Sequence, residues 1–235
     1  MFYSFPRADI SRIILNVLTK LACKSFTNIH ETITFFLELL HEESREKIHI
    51  ALLNNLNLLA KKVSHLWSQD NLSSFIEYVD YQKQNDLLLL RSSEILYLLA
   101  KNSNIYFLYS FNTCLSSQYN NIRSNTIFKN LIETMMFHNN HKIAFTFCLL
   151  TTTLLLLHKK QYIICNINNN DLTQSNFENV EKLLELTRKG LFSIILYLDE
   201  SIGKLLNYLN VKCQDTSKLI ENLSASLKVQ FLLYQ

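Results

Sequence analysis

His138 and His141 stand three residues apart in the run FHNNHKIA, a spacing that sets two imidazoles on one helix face, where a metal ion is often held. A zinc site needs about four donors. No Cys, Asp or Glu accompanies the pair, and Asn139–Asn140 between them reads as a turn opening a helix, so no metal site is expected. A nucleophilic Cys148 would need a neighbouring base and a group to orient it. It lies instead in an apolar run, where a thiol is inert packing. The carboxylate pairs Glu42–Glu43 and Asp199–Glu200 have the makings of an acid and a base, but each falls at a polar break and reads as a helix cap or a solvated end. No GxxxxGK[ST] or GxGxxG run supplies a phosphate cradle. The residues therefore nominate no catalytic, cofactor-binding or metal residue, and the reading is of a protein that is not an enzyme and takes no small-molecule substrate.

Binding residues are weighed the same way. Trp67, the single tryptophan, suits an interface anchor, but reads better as a core elbow whose indole N–H reaches a backbone carbonyl. Tyr97, Tyr106, Phe107, Tyr109 and Phe111 form an aromatic cluster of the kind that stacks on single-stranded nucleic acid. Without interleaved basic residues they read as packing between helices. The balance of 23 basic against 20 acidic residues also argues against direct nucleic-acid binding. His158 with Lys159–Lys160 is the nearest approach to a basic patch and suits a solvated helix end.

The elements that would hold these residues are helices. Two glycines and one proline in 235 residues cannot furnish the turns of an all-β fold or the βα loops of a doubly wound one. The segment LNLLAKK has echoes in LTKLACK and LYLLAKN, and Ala22, Ala60 and Ala100 are separated by steps of 38 and 40 residues. In the first copy Ile10, Ile13, Ile14, Val17, Leu18, Leu21 and Ala22 keep helical spacing along one face. Ile48, Ala51, Leu52, Leu56, Leu59 and Ala60 do so in the second, and Leu88, Ile95, Leu96, Leu99 and Ala100 in the third. Each copy is followed by a second apolar stripe: Ile29, Ile33, Phe36, Leu37 and Leu40; Leu72, Phe75, Ile76 and Val79; Ile105, Leu108, Tyr109 and Leu115. A helical period near 40 is that of HEAT and armadillo arrays. Lys24, Lys61, Lys62 and Lys101, just after the Leu-Ala step, suit the negative end of a helix dipole.

Phe128, Leu131, Ile132, Met135 and Met136 mark the first helix of a fourth pair, with the apolar segment 143–157 as its partner. Those 15 residues fall short of the roughly 20 that span a bilayer, so a buried helix and no membrane are expected. The polar run NINNND at 166–171 separates residues 1–163, about four helical pairs, from 164–235, further irregular helices. A capping box at Ser175–Glu178 opens a helix towards Asp199 that tolerates Gly190, followed by shorter helices near 200–210 and 215–233. Five widely spaced cysteines read as reduced thiols of an intracellular protein, and the N-terminus lacks the features of a signal peptide. The fold class expected is all-α, an α-solenoid of about five HEAT- or armadillo-like pairs.

The run from Phe5 to Glu77 resembles the helical-repeat region of the Integrator complex subunit 7 family. Phe5-Pro6, the Leu-Ala step at 21–22, FFLELL at 35–40, SRE at 44–46 and above all LNLLAKKVSHLWS ending at Ser68 carry the likeness. FHNNHKIA at 137–144 is a second island. The resemblance covers residues 1–80 well and 120–158 in part, and fades beyond Ile163.

It implies a non-catalytic scaffold of a nuclear complex that associates with RNA polymerase II, cleaves the 3′ ends of small nuclear RNAs and attenuates transcription, with a link to DNA-damage signalling. The partners implied are the other Integrator subunits, and the polymerase through them. Family members are several times longer, so a fragment or shortened member is expected, with uncapped apolar ends that favour self-association. The alternative readings are a generic HEAT or armadillo adaptor for transport or vesicle traffic and, second, a helical nucleic-acid binder.

Overall fold

In the computed structural model, which describes residues 8–25, 28–115, 123–166 and 174–210, nearly every position is helical. Nine α-helices are present among the described residues: α1 (Ala8–Ser25), α2 (Ile29–Glu42), α3 (Glu46–Val63), α4 (Gln69–Tyr81), α5 (Asp86–Lys101), α6 (Ile105–Leu115), α7 (Arg123–Met135), α8 (His141–Asn166) and α9 (Gln174–Asn210). The chain divides into two compact units, Met1–Leu191 and Phe192–Gln235.

Local chemistry explains the helix boundaries. Ser68 and Asn85 cap α4 and α5, their side chains accepting from the backbone N–H groups of Asn71 and Leu88 at 3.2 Å each. Helix α5 ends in paired bonds from Ser103 N to the Ala100 carbonyl and from Asn104 N to the Leu99 carbonyl. That closure turns the chain through Ser103 at φ 55°, a left-handed position that glycine fills more cheaply. With two glycines in the chain, the turn is made by serine and anchored by the asparagines on either side.

In the first unit α1 lies beside α3, α3 beside α5 and α5 beside α8, while α2 lies beside α4 and α4 beside α7; α6 touches α4, α5, α7 and α8. The stripes expected on α2, α3, α4, α5 and α7 are buried. Helix α1 departs from its pattern. Leu15 and Ala22 are buried together with Ser11 and Thr19, whereas Ile10, Ile13, Val17 and Leu21 are exposed. The cause is position: α3 packs against α1 on one side and α5 on the other, whereas among the described residues α1 packs against α2 and α3 alone.

Two further expectations are corrected. The fourth pair runs in the opposite order, since α8 lies with the first helices, against α5, and α7 with the second, against α4. Helix α8 is apolar nearly all round and suits the more enclosed row, whereas α7 has a single apolar face. Asp199–Glu200 does not break the chain, because α9 continues through it to Asn210, helped by an Lys204–Glu200 pair at i, i+4 of 2.6 Å. The helix has already begun at Gln174, one residue before the expected cap Ser175. Asn166, the first residue of the loop expected at 166–171, is still in α8; the rest of that run and the helix expected at 215–233 lie outside the described residues.

Candidate functional site

Polar side chains gather most densely where α2 gives way to α3. The Glu43 carboxylate accepts from the backbone N–H groups of Ser44 (2.9 Å) and Arg45 (3.0 Å), and from Arg45 Nε (2.9 Å) and Nη2 (2.6 Å). The Arg45 hydrogen bonds hold the Glu43 carboxyl down at about 2, against an ordinary 4.5. One turn on, His49 Nε2 donates to the Glu43 carbonyl oxygen at 2.6 Å, which leaves Nδ1 of the neutral ring to accept from the Tyr78 hydroxyl at 2.9 Å. Burial pushes the Tyr78 hydroxyl pKa up, against losing its proton. Every group in this cluster already holds a fixed partner, and its chemistry is that of a knot joining α2, α3 and α4.

The residues nominated by the sequence are scattered. His138 lies before α8, where its Nδ1 accepts from Asn140 N–H at 3.0 Å and its Nε2 sits 3.8 Å from Asp86. Asn140 Nδ2 also donates to Asp86 at 2.8 Å, so this island ties the start of α8 to the start of α5. Among the described residues no group of three or more His, Cys, Asp or Glu is placed to hold a metal. The Cys148 thiol is buried, and desolvation pushes it up to about 12, as it does Cys114. The apolar segment belongs to a 26-residue helix whose His141–Lys159 stretch is long and apolar enough to cross a membrane. In the fold its Ile143, Phe147, Leu150 and Leu154 are fully buried.

Trp67 is a core residue, 0% exposed and set edge-on to Phe75 with ring centres 5.7 Å apart. Its indole N–H does not reach a backbone carbonyl, nor any acceptor among the described residues. Instead the Trp67 carbonyl oxygen is engaged. Asn104 Nδ2 donates to it at 3.3 Å and, more closely, to the Ser64 carbonyl, while Asn104 Oδ1 accepts from Phe107 N–H at 2.9 Å. Two residues earlier, Asn102 Nδ2 donates to the Ala60 carbonyl at 2.9 Å and to that of Lys61 at 3.4 Å. The sequence reading passed over both asparagines; the signal for them was KNSN directly after a predicted helix end.

These clamps belong to a series. Asn55 reaches Asn16, Thr34 reaches Asn71, Asn71 meets His30, Gln69 reaches Ser110 and Asn85 reaches Glu46, every one across 37 to 41 residues of chain. Side chains about 40 residues apart therefore face each other between neighbouring helices, and the spacing written in the apolar residues is written again in polar ones.

The aromatic cluster divides. Phe107 and Phe111 are fully buried, with Phe107 5.1 Å from Phe128 between ring centres, and Tyr97 is half-buried. Tyr106 and Tyr109 are exposed together with Ile105. The start of α6 thus leaves three large side chains, Ile105, Tyr106 and Tyr109, in solvent.

A family model described as Integrator complex subunit 7, N-terminal, matches residues 1–231. Integrator complex subunit 7 of Danio rerio is 33% identical over 86 residues, which is 37% of this chain and 9% of that protein. The proteins of the same name from Gallus gallus and Homo sapiens are 26% and 27% identical over 141 residues, 60% of this chain and 14% of theirs. The matched stretches thus span at most 14% of these relatives' own length, and the family model extends well past Ile163, where the recognisable motifs fade.

Proposed function

Since the chain belongs to the Integrator complex subunit 7 family, we propose that it is a non-catalytic scaffold of the nuclear Integrator complex, built over residues 1–163 as a solenoid of HEAT- or armadillo-like helical pairs. Membership of the family carries this reading. The ladder of hydrogen bonds between side chains about 40 residues apart supports the solenoid part of it, because stacked repeats meet their neighbours at a fixed sequence step. Function in such a protein is shape: a long surface on which other subunits seat. RNA polymerase II association, small nuclear RNA 3′-end processing, transcription attenuation and the DNA-damage link belong to the proposal as the setting in which the scaffold works.

Affinity purification of the tagged endogenous protein from nuclei, followed by mass spectrometry, tests it. Recovery of other Integrator subunits and RNA polymerase II is the expected result. Recovery of cytoplasmic traffic factors without them would replace it with the adaptor reading.

A further inference from the structure

The lysines that follow the Leu-Ala steps are far apart in sequence and close in the fold. Asn102 bonds the Ala60 and Lys61 carbonyls, which sets the last turn of α3, with Lys61 and Lys62, against the end of α5, with Lys101. Helix α1 lies beside α3, with Asn55 Nδ2 donating to Asn16 Oδ1 at 3.0 Å, and the same register sets the end of α1, with Lys24, beside the end of α3. All four lysines are exposed, and none is in an ion pair with a carboxylate among the described residues. Exposed carboxylates in the neighbouring first turns are Glu31 of α2 and Asp70 of α4. Helix α6 starts at the same corner, held there by Asn104 on the Ser64 carbonyl, and it presents Tyr106 at 40% and Tyr109 at 60% exposure. In the sequence these aromatics lack interleaved basic residues. In the fold, the ends of α3 and α5, which carry Lys61, Lys62 and Lys101, lie at the start of α6, which carries the tyrosines.

We propose that this edge binds single-stranded nucleic acid, with Lys24, Lys61, Lys62 and Lys101 on the phosphates and Tyr106 and Tyr109 stacking on bases. Lysine at a helix end serves the helix dipole anywhere, but that role does not account for two tyrosines left in solvent beside it. Their faces take any base, so the partner is a single strand bound with little sequence preference. The inference goes beyond the scaffold proposal and does not depend on it.

The test is fluorescence anisotropy of the full chain with a labelled uridine-rich RNA 15-mer, a duplex of the same length and a poly-glutamate peptide. Single-stranded RNA should bind at low salt, with log K falling against log salt at a slope of about −3 if four lysines each release counterions. Joint substitution K61E/K62E/K101E should weaken binding at least tenfold and flatten the slope by about 2. Y106A/Y109A should weaken the single strand and leave poly-glutamate unchanged. Circular dichroism checks that the variants keep their helix content, melting should fall modestly for K61E/K62E/K101E because acids replace lysines at helix C-termini, and K61A/K62A/K101A, which adds no acid there, gives a milder version of the same loss of binding. Absence of RNA binding at low salt, equal binding by the lysine variants, or tyrosine variants that bind RNA normally would overturn the proposal. Saturable poly-glutamate binding that displaces RNA from a tyrosine-insensitive site would reassign the edge to an acidic protein segment.

Discussion

A Cβ built on Gly190 would lie 3.0 Å from Cys148 Sγ and 3.1 Å from the Met136 carbonyl oxygen, whereas one on Gly203 would meet nothing within 4 Å. Both residues are helical, so alanine brings each the same propensity gain of up to about 1 kcal/mol. At Gly203 nothing opposes that gain, and G203A should be neutral to about 1 kcal/mol stabilising. At Gly190 a backbone oxygen cannot move aside as a side chain can, and overpacking of this kind costs about 1–3 kcal/mol; G190A should be net destabilising, and G190V more so. Urea midpoints for the three variants check this, and a stabilised G190A would mean that α9 is not held against α7 and α8. Glu43 makes a pH-dependent contribution. Its carboxyl titrates near 2 in the fold and near 4.5 in an unfolded chain. Its stabilisation is therefore present in full above pH 4.5 and lost as pH falls towards 2. E43Q should lower stability by about 1–2 kcal/mol at pH 7, the scale of charge-assisted bonds with a partly exposed arginine. Denaturation at pH 7, 4 and 3 should show the gap between variant and parent narrowing in step.

Helix α1 separates what its pattern says from what its neighbours do. L15A, at a position 0% exposed, should cost about 2–4 kcal/mol. I13A and L21A, at positions 59% and 57% exposed, should cost about 0.5 kcal/mol or less. Thermal melts of the three variants distinguish this from the face chosen by periodicity, which would make Ile13 and Leu21 the costly pair. Helices with a neighbour on every apolar side were legible in the sequence: every residue of the stripes on α2 and α4 is in the core. The errors came where the pattern leaves a choice. On α6 Leu108 and Leu115 of the expected stripe are buried, but Ile105 and Tyr109 are exposed and Phe107 and Phe111 take the core face instead, as suits rings without a hydroxyl to satisfy, with the Asn104 cap fixing the first turn. On α9, Asp199–Glu200 suits the first turn of a new helix and so reads as a break, yet α9 runs on through it, with Glu200 paired to Lys204 at i, i+4 adding a small favourable term.

At the scale of the whole molecule, the 40-residue step was visible in the apolar residues, but the devices that use it were not. A sequence does not show that Asn102 reaches Ala60, or that Lys61 and Lys101 share a corner, since both follow from like helices lying side by side. Asn104 tests how much one such clamp matters, because its two ends do different work. The Oδ1 end caps α6 at Phe107, and the Nδ2 end binds the carbonyls of the preceding repeat. At 2% exposure, losing both should cost about 2–4 kcal/mol, since the Phe107 N–H is left buried without its acceptor and the Trp67 carbonyl loses its Asn104 donor, while the Ser64 carbonyl keeps only the Trp67 N–H. N104D keeps the cap and replaces the donor with an oxygen that faces two carbonyls. If the clamp between repeats is what stabilises, N104D should be at least as damaging as N104A; if the cap is, N104D should be close to the parent. Guanidinium unfolding of both variants, followed at the buried Trp67 whose carbonyl the clamp holds, decides between them. An outcome in which N104D matches the parent would show that the Asn104 clamp sets the register of α6 against the end of α3 without adding to stability.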